Sequence, residues 1–229
     1  QLYFQPLRAA TLQLIRRAEA AGFELLMVTV DAPVNGVRNR EHRAGFQWDG
    51  DVIPENLQNL PTAPLKPLPE GASIVLDHFM AMAPTWGDVE WLLGQTKLPI
   101  VLKGILSADD ADQAIALGIH GIAVSNHGGR TLDTLPATID VMSEISSVVD
   151  GRVPLLFDGG VRRGTDILKA MALGASAVMV GRPIIYGLSV AGALGVSHVL
   201  RLLREEFEIA MALTGCRTLS DIGPHLIRR

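Results

Sequence analysis

The chain has 229 residues, of which 48% are hydrophobic, 5% aromatic and 19% charged. This composition excludes a disordered chain, and the length suits one large domain. The net charge of −4 argues against a broad basic surface for nucleic acid, and the single cysteine excludes an intramolecular disulfide and a multi-cysteine metal site. The first residues lack the pattern of a signal peptide, and the longest apolar stretch, 186–200, is shorter than the ~20 residues that span a bilayer. We therefore expect a cytoplasmic protein without a membrane span.

Strands and helices are predicted to alternate along most of the chain. Residues 1–4 read as the end of a strand, and residues 7–22 predict an amphipathic helix that stops at Gly22. The apolar run 23–30 is typical of a strand buried on both faces. After residue 97 the predicted strands are 98–105, 121–125, 153–158 and 177–181, and the predicted helices are 108–117, 137–149, 165–173 and 196–213. This alternation predicts right-handed βαβ units and a parallel sheet.

Polar residues at the strand ends discriminate between a closed barrel and a doubly wound sheet. A polar side chain lies at or near the carboxyl end of each of five successive predicted strands: Asp31, Lys103, His127, Asp158 and Arg182. A barrel gathers all of these ends in one ring, whereas an open sheet gathers only those beside its switch point. The α/β fold that we predict is therefore a (β/α)₈ TIM barrel. Counted back from the last strand, the chain holds strands 3 to 8, and we expect its unpaired edges to leave it marginal or inactive by itself.

The segment 40–97 breaks the alternation. It is rich in proline and weakly periodic, which predicts a long active-site insertion after the fourth barrel strand, within a single domain that covers 1–229. Such an insertion is typical of a mobile lid. The alternatives are a disordered linker between domains and a membrane-docking loop, although charged residues such as Glu55 and Glu70 interrupt its apolar residues.

Two glycine-rich turns follow the last two predicted strands. Residues 158–166 read Asp-Gly-Gly-Val-Arg-Arg-Gly-Thr-Asp before a helix, and residues 180–183 read Val-Gly-Arg-Pro. Backbone N–H groups, a helix N-terminus and the side chains of Arg162 and Arg163 can bind an anion, and barrels often place a phosphate here. The sequence has neither a P-loop nor a G-x-G-x-x-G motif. The acidic run 109–112 falls at a predicted helix start, which favours an interaction with the helix dipole over a metal site.

The stretch 125–133, Ser-Asn-His-Gly-Gly-Arg-Thr-Leu-Asp, predicts the chemical centre. His127 can act as a general base near neutral pH, and Arg130 in the same glycine-rich loop can bind a carboxylate through two hydrogen bonds. Asp31 can orient and stabilise an imidazolium, or alternatively cap a helix or form a salt bridge within its loop. Lys103 follows an apolar run, where a cation needs an anionic partner such as a cofactor that carries negative charge.

Together these motifs resemble the FMN-dependent 2-hydroxy acid oxidases and dehydrogenases, a family that includes glycolate oxidase, lactate oxidase, mandelate dehydrogenase and hydroxymandelate oxidase. The likeness runs in order from the first residue to the last helix, and the histidine motif is its specific part. The matching segments are 1–3, 29–33, 102–104, 125–130, 158–166 and 181–183. The phosphate motif alone is also similar to the barrels of inosine monophosphate dehydrogenase and the flavin-dependent isopentenyl diphosphate isomerase.

The resemblance implies oxidation of an L-2-hydroxy acid such as lactate, glycolate or mandelate to the 2-oxo acid. His127 would remove a proton from the substrate while a hydride, or in the competing carbanion scheme an electron pair, reaches flavin N5. Asp31 would support the imidazolium, and Tyr3 would hydrogen-bond the substrate. Arg130 and Arg38 would hold its carboxylate, although the residue before Arg38 is a valine where members often carry a second arginine.

The resemblance also implies FMN as the cofactor. Lys103 would stabilise the reduced flavin near N1, and Asp158 would meet the ribityl hydroxyls. The isoalloxazine and the ribityl chain would be lined by Gln1, Thr29 and Ser125. The phosphate would be held by Gly160, Arg162, Gly181 and Arg182.

Further implications are a homo-tetramer and oxygen, a quinone or a cytochrome as the electron acceptor. Features that decide oxygen reactivity belong to the family's N-terminal region, which we expect this chain to lack. Two alternatives stay open. A barrel of the inosine monophosphate dehydrogenase type requires a nucleophilic cysteine in an active-site loop, whereas Cys216 follows the last predicted helix. The second alternative is a non-catalytic portion of a barrel that binds phosphate ligands.

Overall fold

The computed structural model describes residues 1–64 and 67–228. Within these residues one parallel sheet contains β1 (Leu26–Thr29), β2 (Ile100–Ile105), β3 (Gly121–Val124), β4 (Leu155–Phe157) and β5 (Ala177–Val178). The strands lie side by side in chain order, β1-β2-β3-β4-β5. A doubly wound sheet would reverse its order at a switch point, so this order confirms the barrel arrangement.

The N-terminal residues occupy the place of a further strand beside β1. Leu2 forms a parallel bridge with Val28, in which Leu2 N–H donates to the Met27 carbonyl and Thr29 N–H donates to the Leu2 carbonyl. This is the position predicted for the third barrel strand. Gln1 and Tyr3, the predicted site residues on either side of Leu2, are thereby placed near Thr29.

Helices connect the strands, and several of them pack against the sheet. Their bounds are α1 (Arg8–Ala20), α2 (Asn39–Arg43), α3 (Trp86–Leu93), α4 (Ala108–Ala116), α5 (Thr138–Val149), α6 (Gly164–Ala172) and α7 (Arg182–Leu213). Helix α4 begins after Ser107, whose hydroxyl accepts a hydrogen bond from the Asp110 amide, and it carries Asp109 and Asp110 in its first turn. The acidic run is thus a helix start, as the sequence predicts.

The core lies between the strands and the helices. Val28, Leu102 and Ile122 on the strands are completely buried, as are Ile15 on α1 and Ile145 on α5. Strands of a parallel sheet are covered on both faces, which explains why their sequences are continuous apolar runs rather than alternating ones.

The connection between β1 and α3, residues 30–85, is different in character. It holds α2, a π-helical segment (Ile74–Phe79) and short 3₁₀ turns, and these helical segments bury none of their residues. Helix α3 returns to the core through Val89 and Leu92. The predicted insertion 40–97 therefore begins with exposed residues and ends with residues that pack into the core. That 40–97 forms a separate insertion within the domain stays a prediction.

One predicted boundary at the end of the sheet is wrong, because the last strand is confined to Ala177–Val178 rather than 177–181. The sequence also did not predict that a helical part begins at Arg182, before the predicted helix 196–213. Pro183 lies in the first turn of α7, where a proline nitrogen has no hydrogen-bond partner to lose, so the helix can start directly after Gly181.

Helix α7 is interrupted in its first half. Its backbone leaves helical geometry at Ala191 and Gly192, so α7 consists of two helical parts, and the second, 193–213, agrees with the predicted helix 196–213. Gly187 of the first part lies so close to Gly195 of the second that neither position has room for a side chain. Among the described residues, α7 is the one helix that is long and apolar enough to cross a membrane by length and composition, and almost none of its apolar stretch is buried. The expected absence of a membrane span stays a prediction.

Candidate active site

A cavity of about 780 Å³ opens at the carboxyl ends of the strands, where the barrel order brings the loops together. It contains most of the site residues predicted from the sequence. These are Gln1, Tyr3, Lys103, His127, Arg130, Asp158, Gly160, Arg162, Gly181 and Arg182. Thr29, Asp31 and Ser125 lie one hydrogen bond behind residues of this cavity. Arg38 is connected to it through another side chain, as described below.

Lys103 lies at the base of the cavity and is only 9% exposed. Its Nζ donates a hydrogen bond to Ser125 Oγ at 2.8 Å and lies 3.3 Å from Asp158 Oδ2. The chain itself therefore supplies the anionic partner that the sequence interpretation assigned to a cofactor. Because the pair is largely removed from water, each charge depends on the other.

Ser125 connects the lysine to the histidine loop. Its hydroxyl also accepts a hydrogen bond from the backbone N–H of His127 at 3.1 Å, and Asn126 Oδ1 accepts one from the N–H of Gly128. His127, Gly128 and Gly129 all have positive φ, so the chain turns sharply after β3. This turn directs the imidazole back over the strand ends.

His127 forms a close pair with Asp31 from the end of β1. Its Nδ1 lies 3.0 and 3.2 Å from the two carboxylate oxygens, and the Asp31 side chain is 9% exposed. A carboxylate at Nδ1 favours the tautomer in which Nδ1 carries the proton and Nε2 accepts another. Of the roles left open for Asp31, the geometry supports orientation of the imidazole.

The two predicted carboxylate-binding arginines share one partner, Glu41 of α2. Arg130 Nη2 lies 3.3 Å from Glu41 Oε1, and Arg38 Nη1 lies 3.4 Å from Glu41 Oε2. Gly36 brings the two segments together, since a Cβ there would collide with the Arg130 and Thr131 carbonyl oxygens. Sequence reasoning missed Glu41, although its spacing of three residues from Arg38 on a charged helix is a signal of an ion pair.

The N-terminal residues close one side of the cavity. Gln1 Nε2 donates to Thr29 Oγ1 at 2.7 Å, and the Tyr3 hydroxyl accepts from the same amide at 3.4 Å. Thr29 is buried and Tyr3 is partly exposed to the cavity. Tyr3 and Lys103 line the same cavity.

The glycine-rich turn after β4 lines the opposite side. Gly159 has φ +98°, and a Cβ there would lie 2.7 Å from Thr138 Oγ1, so this turn requires glycine. The backbone N–H groups of Arg162 and Arg163 both donate to Asp166, and the Gly164 N–H donates to Glu206. The amides at the start of α6 are thus already satisfied by carboxylates, contrary to the expectation that they would bind the anion.

Arginine side chains remain as the cationic groups at this end. Arg162 and Arg182 both line the cavity, and Arg182 Nη2 donates to the Gly128 carbonyl at 3.0 Å. Arg163 lies elsewhere, with its Nε 3.1 Å from Glu206. Any phosphate contacts in this cavity would therefore come from these two side chains and the turns at Gly160 and Gly181.

Apolar side chains complete the cavity and were missed from the sequence. They are Met27, Val161, Met179, Val180, Pro183 and Tyr186. Met27 lies in β1 and Met179 directly follows β5, so their place in apolar strand segments that end at the cavity is the signal that could have found them. Tyr186 was missed because the helical part of α7 that precedes the break at Ala191 was not predicted.

The resolved pKa shifts lie outside this site. The Thr85 backbone N–H lowers the pKa of Asp88 at the start of α3, and the Thr218 backbone N–H likewise lowers that of Asp221. A hydrogen bond from Thr96 lowers the pKa of Glu19. These carboxylates stabilise helix and loop ends rather than contribute to the chemistry of the cavity.

Comparison with known proteins identifies the family. The family model described as FMN-dependent dehydrogenase matches residues 1–229. The chain is 49% identical over 227 residues to an L-lactate oxidase of Roseobacter sp. (strain GAI101), covering 99% of this chain and 61% of that protein. It is 46% identical to the human 2-hydroxyacid oxidase 1, covering all of this chain and 63% of that protein.

A solved structure agrees with both. The crystal structure of mandelate oxidase with (S)-2-phenylpropionate is 43% identical and has a TM-score of 0.83, covering 97% of this chain and 60% of that one. The chain thus spans about three fifths of the length of these relatives. These matches do not support the inosine monophosphate dehydrogenase alternative. The chain belongs to the FMN-dependent dehydrogenase family.

Proposed function

We propose that this protein uses FMN to oxidise L-2-hydroxy acids to 2-oxo acids. The observation that carries the proposal is the His127–Asp31 pair, held at 3.0 Å beside a cavity that also contains Lys103 and Arg130. A base, a carboxylate-binding cation and a cation at the cofactor position are the three groups that this reaction requires. Membership in the FMN-dependent dehydrogenase family supports the same assignment.

The residues of the cavity fit FMN. Its volume of about 780 Å³ lies within the ~300–1,000 Å³ of small-molecule sites. Lys103 with Gln1, Thr29 and Ser125 would hold the isoalloxazine, and Asp158 the ribityl hydroxyls. The phosphate would be held by Gly160, Arg162, Gly181 and Arg182. When bound, FMN supplies the two-electron acceptor.

His127 takes the substrate proton in this proposal. Because Asp31 engages Nδ1, the other ring nitrogen is the one that can accept a proton from the substrate hydroxyl. The imidazolium that forms is stabilised by the Asp31 carboxylate, which is nearly buried and therefore weakly screened. Tyr3 would hydrogen-bond the substrate from the other wall of the cavity.

Arg130 and Arg38 bind the substrate carboxylate in this proposal. Both guanidinium groups already lie close to one carboxylate, that of Glu41, which supports their ability to converge on an acid. Arg130 lines the cavity directly, whereas Arg38 approaches it from the loop before α2. Arg130 is accordingly assigned the stronger contact.

The substrate range, acceptor, assembly and location are further proposals. Relatives named L-lactate oxidase and 2-hydroxyacid oxidase support small L-2-hydroxy acids, and their names support oxygen as the acceptor over a quinone or a cytochrome. We also propose a homo-tetramer in the cytoplasm. One relative is named peroxisomal (S)-2-hydroxyacid oxidase. Finding this protein in peroxisomes would contradict the proposed cytoplasmic location.

The test is anaerobic reduction of the bound flavin. The complete protein is reconstituted with FMN and mixed with L-lactate, glycolate or L-mandelate, with D-lactate as the control. The proposal predicts bleaching of the flavin by at least one L-acid or glycolate and none by D-lactate. Retention of FMN in equilibrium dialysis without bleaching by any of these acids would instead support the non-catalytic alternative.

A further inference from the structure

Strand β2 contains an irregularity directly after the site lysine. Lys103 pairs with Ala123 and Ile105 with Val124, so Gly104 is an extra residue in β2 relative to β3. Its φ is +112°, a backbone conformation that L side chains rarely adopt. A bulge of this kind beside an active site commonly redirects a side chain.

Asp31 packs directly against Gly104 and fills the space that a side chain at position 104 would need. A Cβ built on Gly104 would lie 2.5 Å from Asp31 Cγ, still closer to Asp31 Cβ, and 3.0 Å from the Asp31 backbone nitrogen. These atoms include the root of the side chain and the main chain, so a change of rotamer cannot relieve the contact. The neighbouring backbone is also fixed, because Val30 N–H donates to the Lys103 carbonyl at 2.9 Å.

The Asp31 carboxylate in turn sets the position of His127. Its two oxygens lie 3.0 and 3.2 Å from Nδ1, so a shift of Asp31 away from β2 changes this hydrogen bond first. We propose that Gly104 is a positioning residue that seats Asp31 and thereby aligns His127 for proton transfer. This inference rests on the proposed function and concerns a residue that does not line the active-site cavity.

The competing explanation is that Gly104 serves only the backbone of β2 and the orientation of Lys103. A substitution would then impair FMN binding or folding and act independently of Asp31. The two explanations differ in whether the effect of a methyl group at position 104 requires the Asp31 side chain. A double-mutant cycle measures this dependence.

The experiment uses Gly104→Ala in the complete, FMN-reconstituted protein, with Gly118→Ala as the matched control. Gly118 also has a positive φ, of +87°, but a Cβ there meets no atom within 4 Å. Gly104→Ala is expected to lower kcat about 100-fold while KM and FMN affinity stay within about threefold, since a displacement near 1 Å at the chemistry has this effect. Gly118→Ala is expected to keep kcat within about threefold.

An Asp31→Gly background completes the cycle, because it removes the side-chain atoms that the new methyl group would meet. There Gly104→Ala is expected to lower kcat less than threefold further, and to restore folding if the single variant does not fold. The ¹H NMR resonance of His127 Nδ1–H, assigned by its loss in His127→Gln, is expected to move in Gly104→Ala and not in Gly118→Ala.

Equal losses in the two backgrounds, or failure to fold in both, would overturn the inference. An unchanged Nδ1–H resonance in Gly104→Ala would do the same. If the wild-type protein binds FMN but no 2-hydroxy acid reduces it, the proposed function fails, whereas the NMR comparison and folding tests still report whether Gly104 seats Asp31.

Discussion

The strand ends and the connection between β1 and α3 contribute to the same site by different physical means. Lys103 and Ser125 at the strand ends are buried and joined by a hydrogen bond of 2.8 Å, whereas Glu41 in the connection is partly exposed and meets its arginines at 3.3 and 3.4 Å. Exposed ion pairs of the latter kind contribute at most about 1 kcal/mol. The groups that we propose for proton and cofactor chemistry are therefore fixed by the barrel, and those that we propose for the substrate carboxylate are held more loosely.

The largest expected effect concerns the base at the strand ends. In the complete protein His127→Gln is expected to slow anaerobic flavin reduction by about 10³-fold, because it removes the proposed proton acceptor. FMN affinity is expected to stay within about threefold, which equilibrium dialysis checks. A loss below tenfold would assign proton removal to another group and weaken the distinction between the two regions.

The next effect concerns the buried pair in the same region. Lys103→Met leaves Asp158 without its cation and is expected to lower the free energy of unfolding by about 3 kcal/mol in urea titrations. Adding Asp158→Asn should recover more than half of that loss, since no charge then remains unpaired. The exposed ion pair Arg152–Asp112 is the reference. If Lys103→Met lowered the free energy of unfolding as little as Asp112→Asn does, burial would not strengthen the Lys103–Asp158 pair.

A smaller effect is expected for the exposed connection. The Glu41 carboxylate occupies the guanidinium groups that we assign to the substrate, so Glu41→Gln should lower the substrate KM about threefold and leave kcat unchanged. The control is Glu55→Gln, since Glu55 lies in the same connection and accepts only from Gln58 among the described residues. An increase in KM with Glu41→Gln would mean that Glu41 aligns the arginines instead.

The smallest expected effect concerns the start of α3, where the connection returns to the core. Asp88 caps α3 by accepting from the Thr85 N–H at 2.9 Å, and this hydrogen bond lowers the pKa of its carboxyl. A lowered pKa stabilises the fold above the unfolded value of about 3.9, and this contribution is lost as the pH falls through the lower folded value.

Asp88→Asn should accordingly lower the free energy of unfolding by about 1 kcal/mol at pH 7, and the difference from the wild type should shrink as the pH falls below about 4. Asp112→Asn is the control, because Asp112 is well exposed and caps no helix. A difference that does not change with pH would mean that the Asp88 charge does not stabilise α3.

The barrel order and the polar residues at the strand ends could be predicted from local patterns, whereas other cavity residues, such as Gln1, Tyr3 and Gly160, were implied by the family resemblance. Apolar runs mark strands such as β2, and polar residues such as Lys103 and Asp158 follow them directly. The pairing of Lys103 with Asp158 was not predicted, because a single sequence does not give the distance between residues on β2 and β4.

The remaining differences have similar physical causes. The roles of Glu41 and Tyr186 at the site and the packing of Asp31 on Gly104 were not predicted. Each depends on contacts between segments that are far apart in the chain. The amides at the start of α6 were expected to bind the anion, but Asp166 and Glu206 satisfy them. The connection was difficult to predict because its short helices bury nothing and so impose no periodicity on the sequence.

The most direct test of the central claim is a single anaerobic turnover of the complete protein with FMN and limiting L-lactate, followed by flavin absorbance and by assay of the product. The account predicts that reduced flavin and 2-oxo acid form in equal amounts, and that His127→Gln slows both together. Bound FMN that stays oxidised with L-lactate, glycolate and L-mandelate would contradict it.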